Sequence, residues 1–426
     1  MINNKNEIYK GTVVAFTIKG ISIGAGYLFS FLIAMYYGAK GMGIYSVSHT
    51  LILIFSIVSV LGFDAASIRF VSEDASISRS RSIYLKILKI VVPLGLLMST
   101  ILFISSPFLS KLFNEVNLLN AIKYISLGIL PLSLLHINSE SLRGMKNIKL
   151  YSILRFALIP LLASAILFIM NLYQSFDFTM PVISYVIAIY LTCFVSLFFW
   201  LKRIDIFNNN IESTISLRYL LNISLPMLLT TSMFYIIQWT DTIILGYYDT
   251  AYNIGIYNIA LKMSMASSII LFSINSIVAP KYSQLFFDNK MDEFKSVVKF
   301  SSKLIFWLSI PIIAVIAYKA EFFLNIFGEE FKQGKYPLYI LLVGQLFNVM
   351  CGSVGYILMM TDKQKILRNI IVCSAILNII LNIILIPLYG ILGAATASTI
   401  SMILWNFSAL IYIYNKYGFL TTNIFK

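Results

Sequence analysis

The chain has 426 residues, 59% hydrophobic, 15% aromatic and only 12% charged, with a formal net charge of +14 and a mean hydropathy of +0.86. Soluble domains run near 45–50% apolar and about 25% charged, so a water-soluble enzyme is excluded as the main body. Three cysteines without a C-x-x-C pair, and His49 and His136 as the sole histidines, exclude a disulfide scaffold and a cysteine or histidine metal cluster. Gly334-Lys335 is followed by Tyr336, so no Walker A loop is present to bind ATP.

A helix crosses a hydrocarbon core of about 30 Å with roughly 20 apolar residues. In chain order, a polar leader precedes the first such run, which reads as a full span and not as a cleavable signal peptide. Uncharged windows follow at 20–39, 41–63, 90–110, 156–176, 178–201, 219–240 and 336–361. Shorter ones at 124–139, 263–280 and 304–318 become spans if a flanking polar residue is admitted. The window 370–415 carries no charge and is broken by Pro387-Leu388-Tyr389-Gly390 into two helices with a tight turn. Twelve spans are expected. The runs are continuous and do not alternate with period two, which excludes an outer-membrane β-barrel. The polar interval 281–303 is expected to lay one amphipathic helix along the inner surface, and no loop is long enough for an outside domain.

With a cytoplasmic N-terminus, 24 of the 32 Lys and Arg fall in cytoplasmic segments and six on the other side. That asymmetry obeys the positive-inside rule and predicts both termini in the cytoplasm. The net charge is thus a topology signal, and its dispersal among short loops speaks against nucleic-acid binding.

Gly43-Ile44-Tyr45 opens the second span and Gly255-Ile256-Tyr257 the eighth; Pro93 and Pro311 sit midway in the third and ninth. A duplicated six-helix unit fits, with lobes at 1–206 and 207–426. Six is even, so the halves are parallel repeats about the membrane normal, with a central cavity as the alternating-access site. Pro93, Pro131, Pro160, Pro226 and Pro311 mark bends tolerated where neighbours or water satisfy the backbone. Gly20 and Gly24, and Gly390, Ala394 and Ser398, are spaced for close helix approach. Trp200, Trp239, Trp307 and Trp405 read as interfacial anchors.

Ionisable groups within the spans face a cavity or a partner. Lys19, Arg69 and Lys262 are the cationic candidates for lining a hydrated cleft that holds an anion, for which ammonium and guanidinium groups suit phosphate. Asp64 is placed to pair with Lys19, and Asp241 with Lys262. Each acid is either an ion-pair partner or a coupling-ion site, and His136 either packs helices or relays protons.

The segment from Tyr36 to Tyr45, with Gly38, Gly41 and Gly43, resembles the first outer turn of the polysaccharide-transporter branch of the multidrug/oligosaccharidyl-lipid/polysaccharide (MOP) exporter superfamily. So do Leu61-Gly62-Phe63-Asp64 through Arg69, Trp239-Thr240-Asp241-Thr242, Leu142-Arg143-Gly144 and Tyr389-Gly390-Ile391-Leu392-Gly393. The nearest likeness is to Wzx-type O-antigen flippases. The resemblance implies an all-α, twelve-helix, MATE-like inner-membrane protein, not an enzyme. It would move undecaprenyl-pyrophosphate-linked oligosaccharide, for O-antigen lipopolysaccharide or another surface polysaccharide, from the cytoplasmic to the periplasmic leaflet. It would use no cofactor beyond a coupling ion, H+ or Na+. Implied partners are membrane lipids, a polysaccharide polymerase and a chain-length regulator. A cation-coupled multidrug or solute antiporter is the alternative within the superfamily.

Overall fold

Apolar segments of this length must satisfy their amides within themselves when surrounded by hydrocarbon. Among the described residues the chain accordingly folds into helices, with no strand. The computed structural model describes residues 2–73, 77–173, 176–204 and 216–421, with side chains from residue 17 onward except at 69, 72, 73, 229–231, 233 and 234. Two compact units, Met1–Ser232 and Met233–Lys426, divide the chain. Among the described residues, eight helices are long and apolar enough to cross a membrane, or ten if each of two bent pairs forms one span.

The first unit opens with α1 (Ile2–Val60). Its apolar part, Thr17–Val60, has 44 residues, roughly 66 Å at 1.5 Å per residue and about twice a hydrocarbon core. Gly38, with φ 65° and ψ −168°, breaks it where the first outer turn was expected. Leu61 (φ 53°) and Gly62 (φ 78°) then turn the chain into α2 (Phe63–Glu73). After it come α3 (Ile77–Leu112), α4 (Leu118–Ser126), α5 (Ile129–Gly144), α6 (Ile148–Ser152), a π-turn over Ile153–Ala157, α7 (Leu158–Tyr173) and α8 (Met180–Ile204). The π-turn has a local cause: Pro160 has no N–H for the carbonyl of Phe156, so the helix must readjust one turn earlier.

Gly62 is a position where the fold tolerates no side chain. A Cβ there would lie 2.2 Å from the Ser224 carbonyl oxygen and 2.8 Å from the Leu228 nitrogen, both on α9 (Leu217–Tyr248). Backbone cannot yield as a flexible side chain does, and the positive φ adds strain for any L-residue. Gly62→Ala should therefore lose about 1–3 kcal/mol, seen as a lower unfolding midpoint of the detergent-solubilised protein. An unchanged midpoint would show that α9 yields freely.

Polar groups tie the first unit together inside. Tyr84 on α3 donates to Asn138 Oδ1 on α5 at 2.8 Å, and Asn138 donates to Ser196 on α8 at 3.0 Å. Arg81 Nε donates to the Ile204 carbonyl at 3.0 Å, closing the C-terminus of α8. The outward faces are the reverse: Ile104, Phe168, Phe194 and Phe198 are exposed, as a lipid-facing surface requires. Trp200 departs from its expected place at the interface. It is fully buried, with its ring 5.6 Å from that of Tyr84. Helical spacing explains this, because Cys193, Ser196, Trp200 and Ile204 share the buried face of α8.

The second unit takes up the rest of α9 and continues with α10 (Ala251–Met265), α11 (Ile269–Phe287), α12 (Met291–Tyr318), α13 (Ala320–Asn325), α14 (Lys335–Cys351), α15 (Val354–Met360), α16 (Gln364–Tyr389) and α17 (Ile391–Tyr417). No separate surface helix occupies 281–303. The interval is instead the end of α11, a short turn and the first turns of α12. Its apolar residues seal a core, where Phe294 and Val298 are fully buried with Tyr282, Ile357 and Ile413. Gly390, at φ 55° and ψ −131°, makes the expected turn between α16 and α17. Gly393 then brings the two helices close, since a Cβ there would lie 2.3 Å from the Leu385 carbonyl oxygen. Gly20 and Gly24 do not act in this way: a Cβ at either meets nothing within 4 Å.

Candidate transport site

Two clusters of ionisable and polar side chains lie within the helices, one in each unit. In the first, Glu140 is 7% exposed on α5, between two arginines. Arg143 Nη1 is 3.4 Å from one carboxylate oxygen and Arg155 Nε is 3.9 Å from the other. Arg155 sits in the π-turn with only 15% of its side chain exposed. His136 lies one turn before Glu140 on α5, and the Arg155 charge acts on both His136 and Tyr185. Asp64 is in the first turn of α2, which packs against α5. Lys19 is exposed on α1, its ammonium 5.9 Å from the ring centroid of Phe156, the next residue after Arg155. That is a cation–π distance. The Arg69 side chain lies outside the described residues.

In the second unit four helices converge on Asp241, which is 2% exposed. Tyr257 on α10 donates to Oδ2 at 2.5 Å, Ser398 on α17 donates to the same oxygen, and Asn382 on α16 donates to Oδ1 at 2.7 Å. Asn382 also donates to Asn378 Oδ1 at 3.1 Å. Two buried atoms here, Asn382 Oδ1 and Asn378 Nδ2, have no hydrogen-bond partner among the described residues. The donors that reach Asp241 are thus a phenol, a hydroxyl and an amide, and Lys262 lies half-buried further along α10. A carboxylate ringed by neutral groups, with a spare amide oxygen beside it, has the oxygen-rich chemistry that suits a small hard cation or a proton.

Of the six residues singled out from sequence, the structure gathers Asp64 and His136 around Glu140 and sets Asp241 at the centre of its own network. Lys19 meets the first cluster through Phe156. Glu140, Arg155, Tyr257, Asn378, Asn382 and Ser398 escaped as site residues. A signal existed for the asparagines: two amides at i and i+4 inside an uncharged apolar window share one helix face. Arg155 reads from sequence as a loop cation, and only the π-turn turns it inward.

These helices follow the course of a known transporter fold. Over 94% of this chain and 87% of the other, the structure matches the lipid II flippase MurJ in an inward closed conformation, with a TM-score of 0.73 and 16% identity. Over 96% and 98% it matches an inward-facing multidrug resistance MATE family transporter of the MOP superfamily, with a TM-score of 0.75 and 11% identity. The likeness gives the fold, that of the MOP transporters, and the length and apolar character of the helices among the described residues are those of a multi-pass membrane protein.

Within that class the chain belongs to the polysaccharide biosynthesis protein family, which it matches over residues 43–334. It is 29% identical over 168 residues to the Haloferax volcanii protein named "Probable low-salt glycan biosynthesis flippase Agl15", covering 39% of this chain and 36% of that one. It is 26% identical over 215 residues to the Staphylococcus aureus capsular polysaccharide biosynthesis protein CapF, covering 50% and 52%. The matched region thus spans about a third to a half of these curated relatives.

Proposed function

We propose that this protein is a flippase for a lipid-linked saccharide, carrying a polyprenyl-pyrophosphate-linked oligosaccharide, with undecaprenyl as the lipid, from the cytoplasmic to the outer leaflet of the plasma membrane by alternating access. O-antigen or another surface polysaccharide is the end product, and both termini lie in the cytoplasm with twelve crossings between them. The single observation that carries the reading is the polysaccharide-family match over residues 43–334, which runs from the first unit into the second and includes Asp64, His136, Glu140, Arg155, Asp241 and Tyr257.

The chemistry agrees. Sugar hydroxyls and pyrophosphate cannot shed water into hydrocarbon without replacement. Lys19, Lys262 and Arg69 are the proposed anion-attracting groups. Asp241 is the proposed coupling-ion residue, taking Na+ or H+, while Asp64 and His136 belong to the partner network around Glu140.

Deleting the gene is expected to leave one oligosaccharide repeat unit accumulating on its lipid carrier in the cytoplasmic leaflet. Lys19→Ala and Lys262→Ala should each reduce surface polysaccharide at normal protein level, on the order of tenfold for a lost ammonium–phosphate contact. Wild-type glycan from both variants would overturn the assignment. The MATE likeness favours one rival, a cation-coupled drug antiporter. Drug resistance on expression, with unchanged cell-surface glycan, would select it.

A further inference from the structure

Neither cluster accounts for the aromatic turn of α9 that leads up to Asp241. The rings of Tyr235 and Trp239, one turn apart, stack with centroids separated by 4.8 Å and planes 13° from parallel. Both are half-buried, and Gln238 is exposed. These three share one face of the helix, while Ile236, Ile237, Ile243 and Ile244 share the opposite one. There Ile237 packs against the apolar core of the second unit. Among the described residues, no hydrogen bond takes up the Gln238 amide, the Tyr235 hydroxyl or the Trp239 N–H.

Depth decides what such a face meets. α9 ends at Tyr247 and Tyr248, both exposed, and tyrosines of that kind mark a membrane–water boundary. From Gln238 to Tyr248 the helix rises roughly 15 Å, half of a hydrocarbon core of about 30 Å. An exposed amide at that depth cannot give up its water to hydrocarbon without replacement, so this face borders a hydrated space.

The face is also uncharged. Asp241, the acid that follows it, is buried and already accepts from Tyr257, Ser398 and Asn382. Stacked rings edged by neutral donors and an acceptor fit a sugar ring. Ring C–H groups lie against the negative face of a π system, and a carboxamide donates and accepts at once, as two neighbouring hydroxyls require. α10 stands beside this turn, since Tyr257 reaches Asp241. Its half-buried Asn258 spends Nδ2 on the Ile254 carbonyl at 2.9 Å and keeps Oδ1 as a further acceptor.

We propose that Tyr235, Gln238 and Trp239 form a saccharide-binding face, holding one sugar ring of the cargo by stacking on Trp239 and hydrogen bonding to Gln238. This rests on the flippase reading and adds to it the residues that recognise the glycan, as distinct from the anion.

The test uses the purified full-length protein in an uncharged detergent, with bound lipid counted by native mass spectrometry. Two probes are titrated: lipid-linked oligosaccharides extracted from cells lacking the gene, and bare undecaprenyl pyrophosphate. The ratio of the two affinities is the readout, because a general loss of packing weakens both probes alike. The wild-type protein is expected to prefer the glycosylated carrier by about tenfold or more. Trp239→Leu should lower the ratio about tenfold and Gln238→Leu about fivefold, the scale of one stacked or hydrogen-bonded contact, with binding of the bare carrier unchanged. Trp239→Phe keeps a ring and should stay within about threefold of the wild type.

Equal binding of both probes by the wild type, or a ratio unaltered by both leucine variants, overturns the saccharide face and leaves the flippase reading intact. Binding of neither probe overturns that reading and this inference with it. Displacement of the glycosylated carrier by equimolar tetraphenylphosphonium, lost in Trp239→Leu, assigns the stack to an organic cation held by cation–π attraction and overturns the saccharide.

Discussion

Asp241→Asn is expected to reduce polysaccharide export on the order of 100-fold, the scale on which loss of an ion-site group acts, while the protein still folds. The two consequences separate because asparagine keeps the shape and one acceptor oxygen. Tyr257 and Ser398 hold rotatable hydroxyls that can turn toward that oxygen, so the stability cost is about 1–2 kcal/mol. Asp241→Ala removes the acceptor altogether. It leaves the Tyr257 and Ser398 hydroxyls facing nothing, at about 1–3 kcal/mol for each buried group, and the Asn382 amide with Asn378 as its remaining acceptor. The alanine variant should therefore unfold at a clearly lower temperature than the asparagine variant, although both fail in export.

The same pair of variants separates the two coupling ions. A sodium site stabilises the folded wild-type protein by about 2.7 kcal/mol when sodium reaches 100 times its dissociation constant. Replacing choline chloride with sodium chloride should then raise the wild-type unfolding midpoint and leave that of Asp241→Asn unmoved. A proton-coupled protein shows no sodium effect, and its export follows the imposed pH gradient. Export at the wild-type rate by Asp241→Asn under both gradients would remove Asp241 from the coupling step.

What sequence disclosed and what it concealed divide along physical lines. Span length follows from local hydropathy, so most helices are legible, and so are the breaks at Gly38 and Gly390, where a glycine stands in the turn between two apolar runs. The Asp241 carboxylate is equally legible, because a charge near the end of an apolar run stands out. Its partners do not stand out. Asn382 is 141 residues away and Ser398 is 157 away, and only packing of α9, α16 and α17 brings them together. Trp200 was misplaced because distance from a span end says nothing of which helix face a ring occupies. The 281–303 interval misled for a related reason: Phe294 and Val298 form an apolar stripe that suits a membrane surface and a protein core equally well.

The larger concealed feature is the Glu140–Arg155 pair, for which a double-mutant cycle should give the biggest stability effect in the protein. Glu140→Ala leaves Arg155 mostly buried without its carboxylate, at a cost of about 3–5 kcal/mol. Arg155→Met should cost less, because Glu140 keeps Arg143, whose side chain is half exposed and still reaches water. With both changed, no uncompensated charge remains and most of the lost stability returns, giving a coupling of roughly 0.5–3 kcal/mol. Export distinguishes a packing role from a transport role. If the cluster only locks α5 against the π-turn, the double variant exports as well as it folds. If Arg155 and its neighbour Phe156, under the Lys19 ammonium, guide an anion, export stays low in a protein whose unfolding midpoint has recovered. We expect the second outcome. A buried arginine presented by a π-turn is an expensive way to hold two helices together, because replacing such a pair with apolar residues of similar volume is often neutral or stabilising.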